Sequence, residues 1–147
     1  VTVDRTDEEI LGALQRNGRA SYAEVGQQVG LSAPAVKRRV DRLRADGVIR
    51  GFTALVDPAV LGWATEAYVE VFCAGNVSPD GLRRTLESIP EVVDACTVTG
   101  EADALVHLRA GDIRHMETVL ERVRRDRRVD HTRSVIVLSR LVERAAP

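Results

Sequence analysis

Six basic side chains lie between Ser32 and Gly51: Lys37, Arg38, Arg39, Arg42, Arg44 and Arg50. Only Asp41 and Asp46 oppose them, a local net charge of +4 in a chain of net charge −1. From Leu61 to Pro147, 12 basic residues meet 14 acidic ones. A basic segment inside a slightly acidic chain suits one polyanion-binding surface rather than a general polycation. At helical spacing Val36, Val40 and Leu43 share one side of this segment, while Pro34, Lys37, Arg38 and Asp41 share the other, with Arg42 near the edge. Ser32 reads as a cap just before this helix, and Pro34 is tolerated in a first turn. Pro34, Lys37 and Arg38 are therefore candidates for reading base edges, and Ala33 for apolar contact with a thymine methyl. Arg39, Arg42 and Arg44 suit phosphates. The capped start of the preceding helix, at Ser21 and Tyr22, offers backbone N–H groups to another phosphate.

A second candidate is Gly100-Glu101-Ala102-Asp103, set between two strand-like runs. Glycine and aspartate there suit a hairpin turn, with positive φ at the glycine and local backbone bonds from the aspartate. The histidines His107, His115 and His131 lack metal-ligand spacing, and no serine sits in a nucleophile elbow. No phosphate loop or dinucleotide fingerprint occurs. The reading is a non-enzyme with no metal and no cofactor. Cys73 and Cys96 lie far apart in apolar runs and are expected as small buried hydrophobes. Aromatics at 3% argue against stacking on single-stranded nucleic acid as the main activity.

The elements that must carry these residues follow from periodicity. A first helix runs from Asp4 or Thr6 to Arg16, with acids in its first turn, Ile10, Leu11 and Leu14 inward, and Asn17-Gly18 as a stop. Ser21 and Glu24 form a capping box for a second helix whose Tyr22, Val25, Gly26 and Val29 share a face, ended by Gly30. With the basic third helix, ended by Gly47, this is a helix-turn-helix plan. Val48 to Val56 reads as a linking strand, closed by Asp57-Pro58. Beyond it come a strand at 65–74, a helix from Ser78 with Leu82, Leu86 and Ile89 inward, strands at 92–99 and 104–110, a helix capped by Asp112 with Ile113, Met116, Leu120 and Val123 inward, and a last strand at 129–141. That order is β-α-β-β-α-β, the ferredoxin-like pattern. The expected class is α+β: an N-terminal helix-turn-helix, winged-helix-like domain at 1–50, a linker strand and hinge at 51–64, and a ferredoxin-like domain at 65–147 for effector binding and oligomerisation.

The run from Leu31 to Ile49, LSAPAVKRRVDRLRADGVI, closely resembles the recognition-helix segment of the Lrp/AsnC (feast/famine) transcription regulators. Asp4 to Arg19 looks like that family's first helix, Arg50 to Pro58 with Leu61-Gly62 like its linker, and Val98 to Asp103 like part of its effector domain. The resemblance spans nearly the whole chain. It implies that the hairpin Gly100, Glu101, Ala102, Asp103 lies at a subunit interface and holds a free amino acid, joined by Thr132 and Ser134 on the last strand. Asp103 would pair with the ligand's ammonium, and N–H groups near Gly100 with its carboxylate. Many relatives carry bulky residues after this glycine, whereas Ala102 and Ala104 are small.

The expected partners are double-stranded DNA, a small amino-acid ligand and a second copy of the chain, in a homodimer or a higher even-numbered assembly. Self-association also follows from the strands. Ala67, Val69, Val71 and Cys73 alternate with Tyr68 and Phe72, and Val135 and Val137 with Ile136 and Leu138, so both faces carry apolar side chains. No run reads as a signal peptide or membrane span, so the expected location is the cytoplasm. The competing reading is an amino-acid-binding metabolic sensor or enzyme-regulatory module without DNA binding; the basic face of the third helix argues against it.

Overall fold

Three helices form the N-terminal part of the computed structural model, which describes residues 2–75 and 78–142. Helix α1 (Arg5–Arg16) starts at Asp4, whose side chain accepts the Asp7 N–H while the Asp7 side chain accepts the Asp4 N–H. Helix α2 (Tyr22–Val29) starts at Ser21 with the expected capping box to Glu24 and ends at Gly30, φ 71°. Helix α3 (Ala33–Ala45) follows after Leu31 and Ser32. Ile10, Ala13 and Leu14 of α1, Val25 of α2, and Val36 and Val40 of α3 form the core. Gly26 lies where α2 meets the turn: its carbonyl accepts the Leu31 N–H at 2.9 Å, and a Cβ on it would stand 2.3 Å from the Leu31 carbonyl oxygen. Only glycine allows this approach, which brings α3 close behind α2.

The second part opens with a 3₁₀ turn (Pro58–Leu61) and continues β1 (Thr65–Cys73), α4 (Pro79–Glu87), β2 (Val92–Thr97), β3 (Ala104–Ala110), α5 (Ile113–Arg124), β4 (Val129–Ile136). The sheet is antiparallel in the order β2-β3-β1-β4, the ferredoxin-like arrangement. Val69, Val71, Val106 and Leu108 of the sheet pack with Leu82 and Leu86 of α4 and Met116, Val119 and Val123 of α5. The chain divides into two compact units between Leu55 and Val56.

Several sequence expectations need correction. The linking strand at 48–56 does not form: residues 50–57 have no regular structure, and Phe52, Leu55 and Val56 are exposed. A strand is stabilised by a neighbour's ladder, and none is supplied here. The last strand stops at Ile136 rather than 141; Val137 adds one bond to the Glu66 carbonyl, and β1 has no residues beyond Thr65 to pair with the rest. The strand expected at 92–99 ends at Thr97. Cys96 is exposed, because it lies on the edge strand β2 opposite Leu105, on the face that carries no helices; Cys73, at the end of β1, is half-buried against the core. On α5, Ile113 is exposed and Val119 takes the inward position, since Met116, Val119 and Val123 recur at helical spacing on the face packed into the core. Residues 143–147 of the expected second domain lie outside the described residues.

Candidate DNA-reading helix and effector hairpin

Helix α3 buries Val36, Val40 and Leu43 and leaves Pro34, Lys37, Arg38 and Asp41 exposed, as helical spacing requires. Its start differs in one respect from the sequence reading: Ser32 stands at the N-cap position but makes no side-chain cap bond. The reason is local. Pro34 has no N–H, and the Ala35 N–H is taken by the Ser32 carbonyl at 2.9 Å. Ser32 is exposed and its hydroxyl is not engaged as a cap. Ser21 behaves otherwise: its hydroxyl donates to Glu24 at 2.8 Å and accepts the Glu24 N–H at 3.2 Å. The Ser21 backbone N–H, donating to the Glu24 carboxylate at 2.6 Å, and then the Ser21 hydroxyl hold that carboxyl below its ordinary range. Tyr22 is half-buried against the helical core.

The basic residues of α3 fall into two groups. Lys37 forms an exposed pair with Asp41 at 2.5 Å, whose hydrogen bond and charge raise the lysine's pKa. Arg38 and Arg44 are exposed. Arg39 and Arg42 instead turn back toward α1. The Arg39 Nη1 donates to Asp4 at 2.7 Å and to Asp7 at 2.8 Å, and Arg42 donates to the other Asp7 oxygen. Asp7 is fully buried. Burial alone would raise its pKa, but the bonds from Arg39 and the Asp4 N–H and the charge of Arg42 outweigh it and hold the carboxyl below its ordinary value. The sequence reading placed Asp7 among dipole-complementing acids and missed this contact. The available signal was the three-residue spacing from Asp4, a capping-box spacing that turns the second acid back over the helix end.

The hairpin residues diverge. Gly100 adopts φ 122°, so glycine is required at the turn. Ala102 is buried, as is Ala104 within the core, so these small side chains pack inside the fold. Glu101 is exposed, 3.9 Å from Arg133. Asp103 is exposed, and one of its oxygens accepts the Cys73 N–H at 2.7 Å, where a bulge interrupts the pairing of β1 with β4. Thr132 and Ser134 pair with Val71 and Val69, on the face that carries the helices, and the Thr132 hydroxyl accepts from Arg124 at 2.9 Å. Within one chain Glu101 leans toward Arg133, Asp103 holds the Cys73 N–H and Thr132 accepts from Arg124, so these side chains do not turn toward one another. Among the described residues no three His, Cys, Asp or Glu side chains gather as metal ligands, and no helix is long and apolar enough to cross a membrane.

The open face of the sheet is a mosaic. Tyr68 stacks on His107 with ring centroids 4.7 Å apart, and Phe72 on His131 at 4.2 Å, with Arg133 over the Phe72 ring at 5.3 Å. Glu66 binds His107, Arg109 at 3.2 Å and Arg140 at 2.5 Å. Burial works to raise its pKa, but those partners prevail and lower it. Val135 joins this face, whereas Ile136 pairs with Ala67 on the other.

Comparison with known proteins decides what this pairing of units is. Residues 3–44 match the AsnC-type helix-turn-helix domain, and residues 66–147 the Lrp/AsnC ligand binding domain. The chain belongs to the Lrp/AsnC family. This Lrp/AsnC member is 54% identical over 145 residues to the HTH-type transcriptional regulator Rv2324 of Mycobacterium tuberculosis, covering 99% of this chain and 98% of that one. Its fold matches Escherichia coli AsnC with a TM-score of 0.90 at 27% identity, covering 98% and 97% of the two chains. It matches the feast or famine regulatory protein Rv3291c of M. tuberculosis, solved in complex with L-methionine, with a TM-score of 0.90 at 32% identity, covering 97% and 96%. The chain is a helix-turn-helix transcriptional regulator.

Proposed function

We propose that this regulator reads its operator with the N-terminal half of α3. The observation that carries this is the exposed row Pro34, Lys37 and Arg38, backed by the fully buried Val36, Val40 and Leu43. In a helix-turn-helix the second helix of the motif enters the major groove with its N-terminal residues. Lys37 and Arg38 then meet base edges, with Ala33 and Pro34 beside them. Ser32 at the start of α3, Ser21 and Tyr22 at the start of α2, and Arg44 lie where phosphates pass. Arg39 and Arg42 border this surface. Lys37→Ala and Arg38→Ala should each cost about 1–3 kcal/mol of operator affinity without loss of thermal stability. The check is anisotropy titration against specific and scrambled duplexes at one salt concentration. Wild-type discrimination in both variants would remove the assignment.

The sheet unit serves assembly and effector response. A second copy is the natural cover for the ring-bearing open face, where Tyr68, Phe72 and Val135 add apolar area that helices do not shield. A free amino acid is the proposed effector, supported by the L-methionine complex of the relative Rv3291c. It would bind between protomers, at Gly100, Glu101, Ala102 and Asp103 of one and Thr132 and Ser134 of another. The Asp103 carboxylate then answers the ligand's ammonium. Such an effector acts by binding one arrangement of the DNA-binding units better than another. Sedimentation should show at least a dimer at micromolar concentration, and calorimetry with the amino-acid panel should find a ligand. A monomer, or a panel without binding, refutes the corresponding part.

A further inference from the structure

We infer that Asp7 is a positioning residue for the DNA-reading helix, acting through Arg39 and Arg42, and that Arg39 serves this joint rather than a phosphate. The inference rests on the DNA-reading role of α3 proposed above.

The inner face of α3 consists of Val36, Val40 and Leu43. Apolar packing of this kind is strong but non-directional, and it tolerates small rotations of a helix about its axis. Base readout does not tolerate them, because bidentate hydrogen bonds to base edges need fixed donor directions. The polar joint supplies the missing direction. Arg39 and Arg42 are three residues apart, so their side chains leave α3 on the same side. Each donates to a different oxygen of Asp7. The Asp4 N–H adds a bond to Asp7 at 3.1 Å, and the Asp4 carboxylate accepts both the Asp7 N–H at 2.8 Å and Arg39 at 2.7 Å. These bonds form a closed network whose anions sit at the N-terminus of α1, the end of that helix which favours negative charge. Asp7 is fully buried. Turning or sliding α3 would strip a buried carboxylate of its partners, which is far more costly than shifting methyl groups.

The charge count points the same way. Two carboxylates meet two guanidinium groups, so the cluster is formally neutral and adds no net attraction for a polyanion. The Arg39 side chain is only 30% exposed, with one nitrogen already shared between two carboxylates. Among the described residues Arg38 and Arg44 form no ion pair, which leaves their charge for DNA.

The test uses the full chain, a duplex enriched from a random library by the wild type, and a scrambled version of it, titrated over a salt series. The variants are Asp7→Asn, Arg39→Ala, Arg39→Lys and, for comparison, Arg38→Ala. Asp7→Asn and Arg39→Ala should lose about tenfold or more of affinity for the enriched duplex while affinity for the scrambled one holds within about twofold. The slope of log affinity against log salt should be unchanged in Arg39→Ala, whereas loss of a phosphate contact flattens it by roughly 0.9. Arg39→Lys should recover part of the discrimination. Circular dichroism at the assay temperature checks folding; should Asp7→Asn unfold, Arg39→Ala, which leaves Asp7 paired with Arg42, carries the test alone. A flattened slope in Arg39→Ala, or a parallel loss on both duplexes, overturns the inference. A wild type that enriches no sequence overturns the DNA-reading proposal itself, and the inference with it.

Discussion

The two candidate sites are built on opposite principles. The proposed DNA-reading surface centres on one helix of thirteen residues, whose exposed Pro34, Lys37 and Arg38 share one side, with Ser21 and Tyr22 of α2 added to it. The effector hairpin is different. Its Ala102 turns into the fold, its Glu101 leans toward Arg133, its Asp103 holds the Cys73 N–H, and Thr132 and Ser134 lie on the helix-covered face of β4. A surface meant for a long rigid polymer can be complete within one chain. A pocket for a small ligand needs walls on several sides, and one hairpin at the rim of a sheet has none to offer. Under the effector reading proposed above, a second copy would supply the missing walls of this site, whereas the DNA-reading row needs no residue from a partner.

The largest expected effect comes from Gly26→Ala, where the added methyl meets the Leu31 carbonyl. Forcing the turn apart should destabilise the helical unit by about 1–3 kcal/mol, read by denaturant unfolding, and should weaken operator binding while leaving effector binding intact. A tolerated alanine with full operator affinity would mean that the close approach is not what sets the α2–α3 geometry.

On the other side, Asp103 carries two duties that can be separated. Asp103→Ala removes the acceptor of the Cys73 N–H and should cost roughly 1 kcal/mol of stability, together with any effector binding. Asp103→Asn keeps an acceptor oxygen but no charge, so it should retain stability and still lose the ligand. If calorimetry finds equal ligand affinity in Asp103→Asn and wild type, the carboxylate is purely structural.

Acid sharpens the contrast further. Asp4 and Asp7 are both held below their ordinary values. For Asp4 the Arg39 hydrogen bond is the main cause; for Asp7 the bonds from Arg39 and Asp4 and the charge of Arg42 override the upward push of burial. A carboxylate depressed in the folded state stabilises it fully above its unfolded value, about 3.9, and loses that contribution as pH falls through the lower folded value. Protection of the α1 and α3 amides in hydrogen exchange should therefore decline as the solution is acidified below about pH 4. In Asp7→Asn that decline should be shallower. Identical acid profiles would show that Asp7 does not couple α1 to α3.

The smallest effect should come from the most conspicuous pair. Lys37 and Asp41 are both well exposed, and an exposed pair at this spacing contributes only about 0.3–0.5 kcal/mol. Asp41→Ala should leave thermal stability nearly unchanged, while releasing Lys37 should raise affinity for scrambled DNA and blunt discrimination. A clear loss of stability would place Asp41 in the fold rather than on its reading surface.

What the sequence determined by itself is what repeats at short range. The three helices and their stops, the βαββαβ order and the outward row of α3 all follow from periodicity and from caps such as Ser21 with Glu24, and the family resemblance runs along the same residues. These features depend on neighbours within a few positions, and such neighbours are visible in a string. What only the tertiary structure decided is which polar group meets which across the fold. The charge of Arg39 and Arg42 is visible in the string, but their partner Asp7 is not, because 32 and 35 residues of chain separate it from them. Ser32 read as a cap until Pro34 and the Ser32 carbonyl left it no donor to bind. Cys96 read as buried until β2 proved to be an edge. The linking strand read as a strand, but a strand exists only beside another, and periodicity specifies an extended segment without naming its partner.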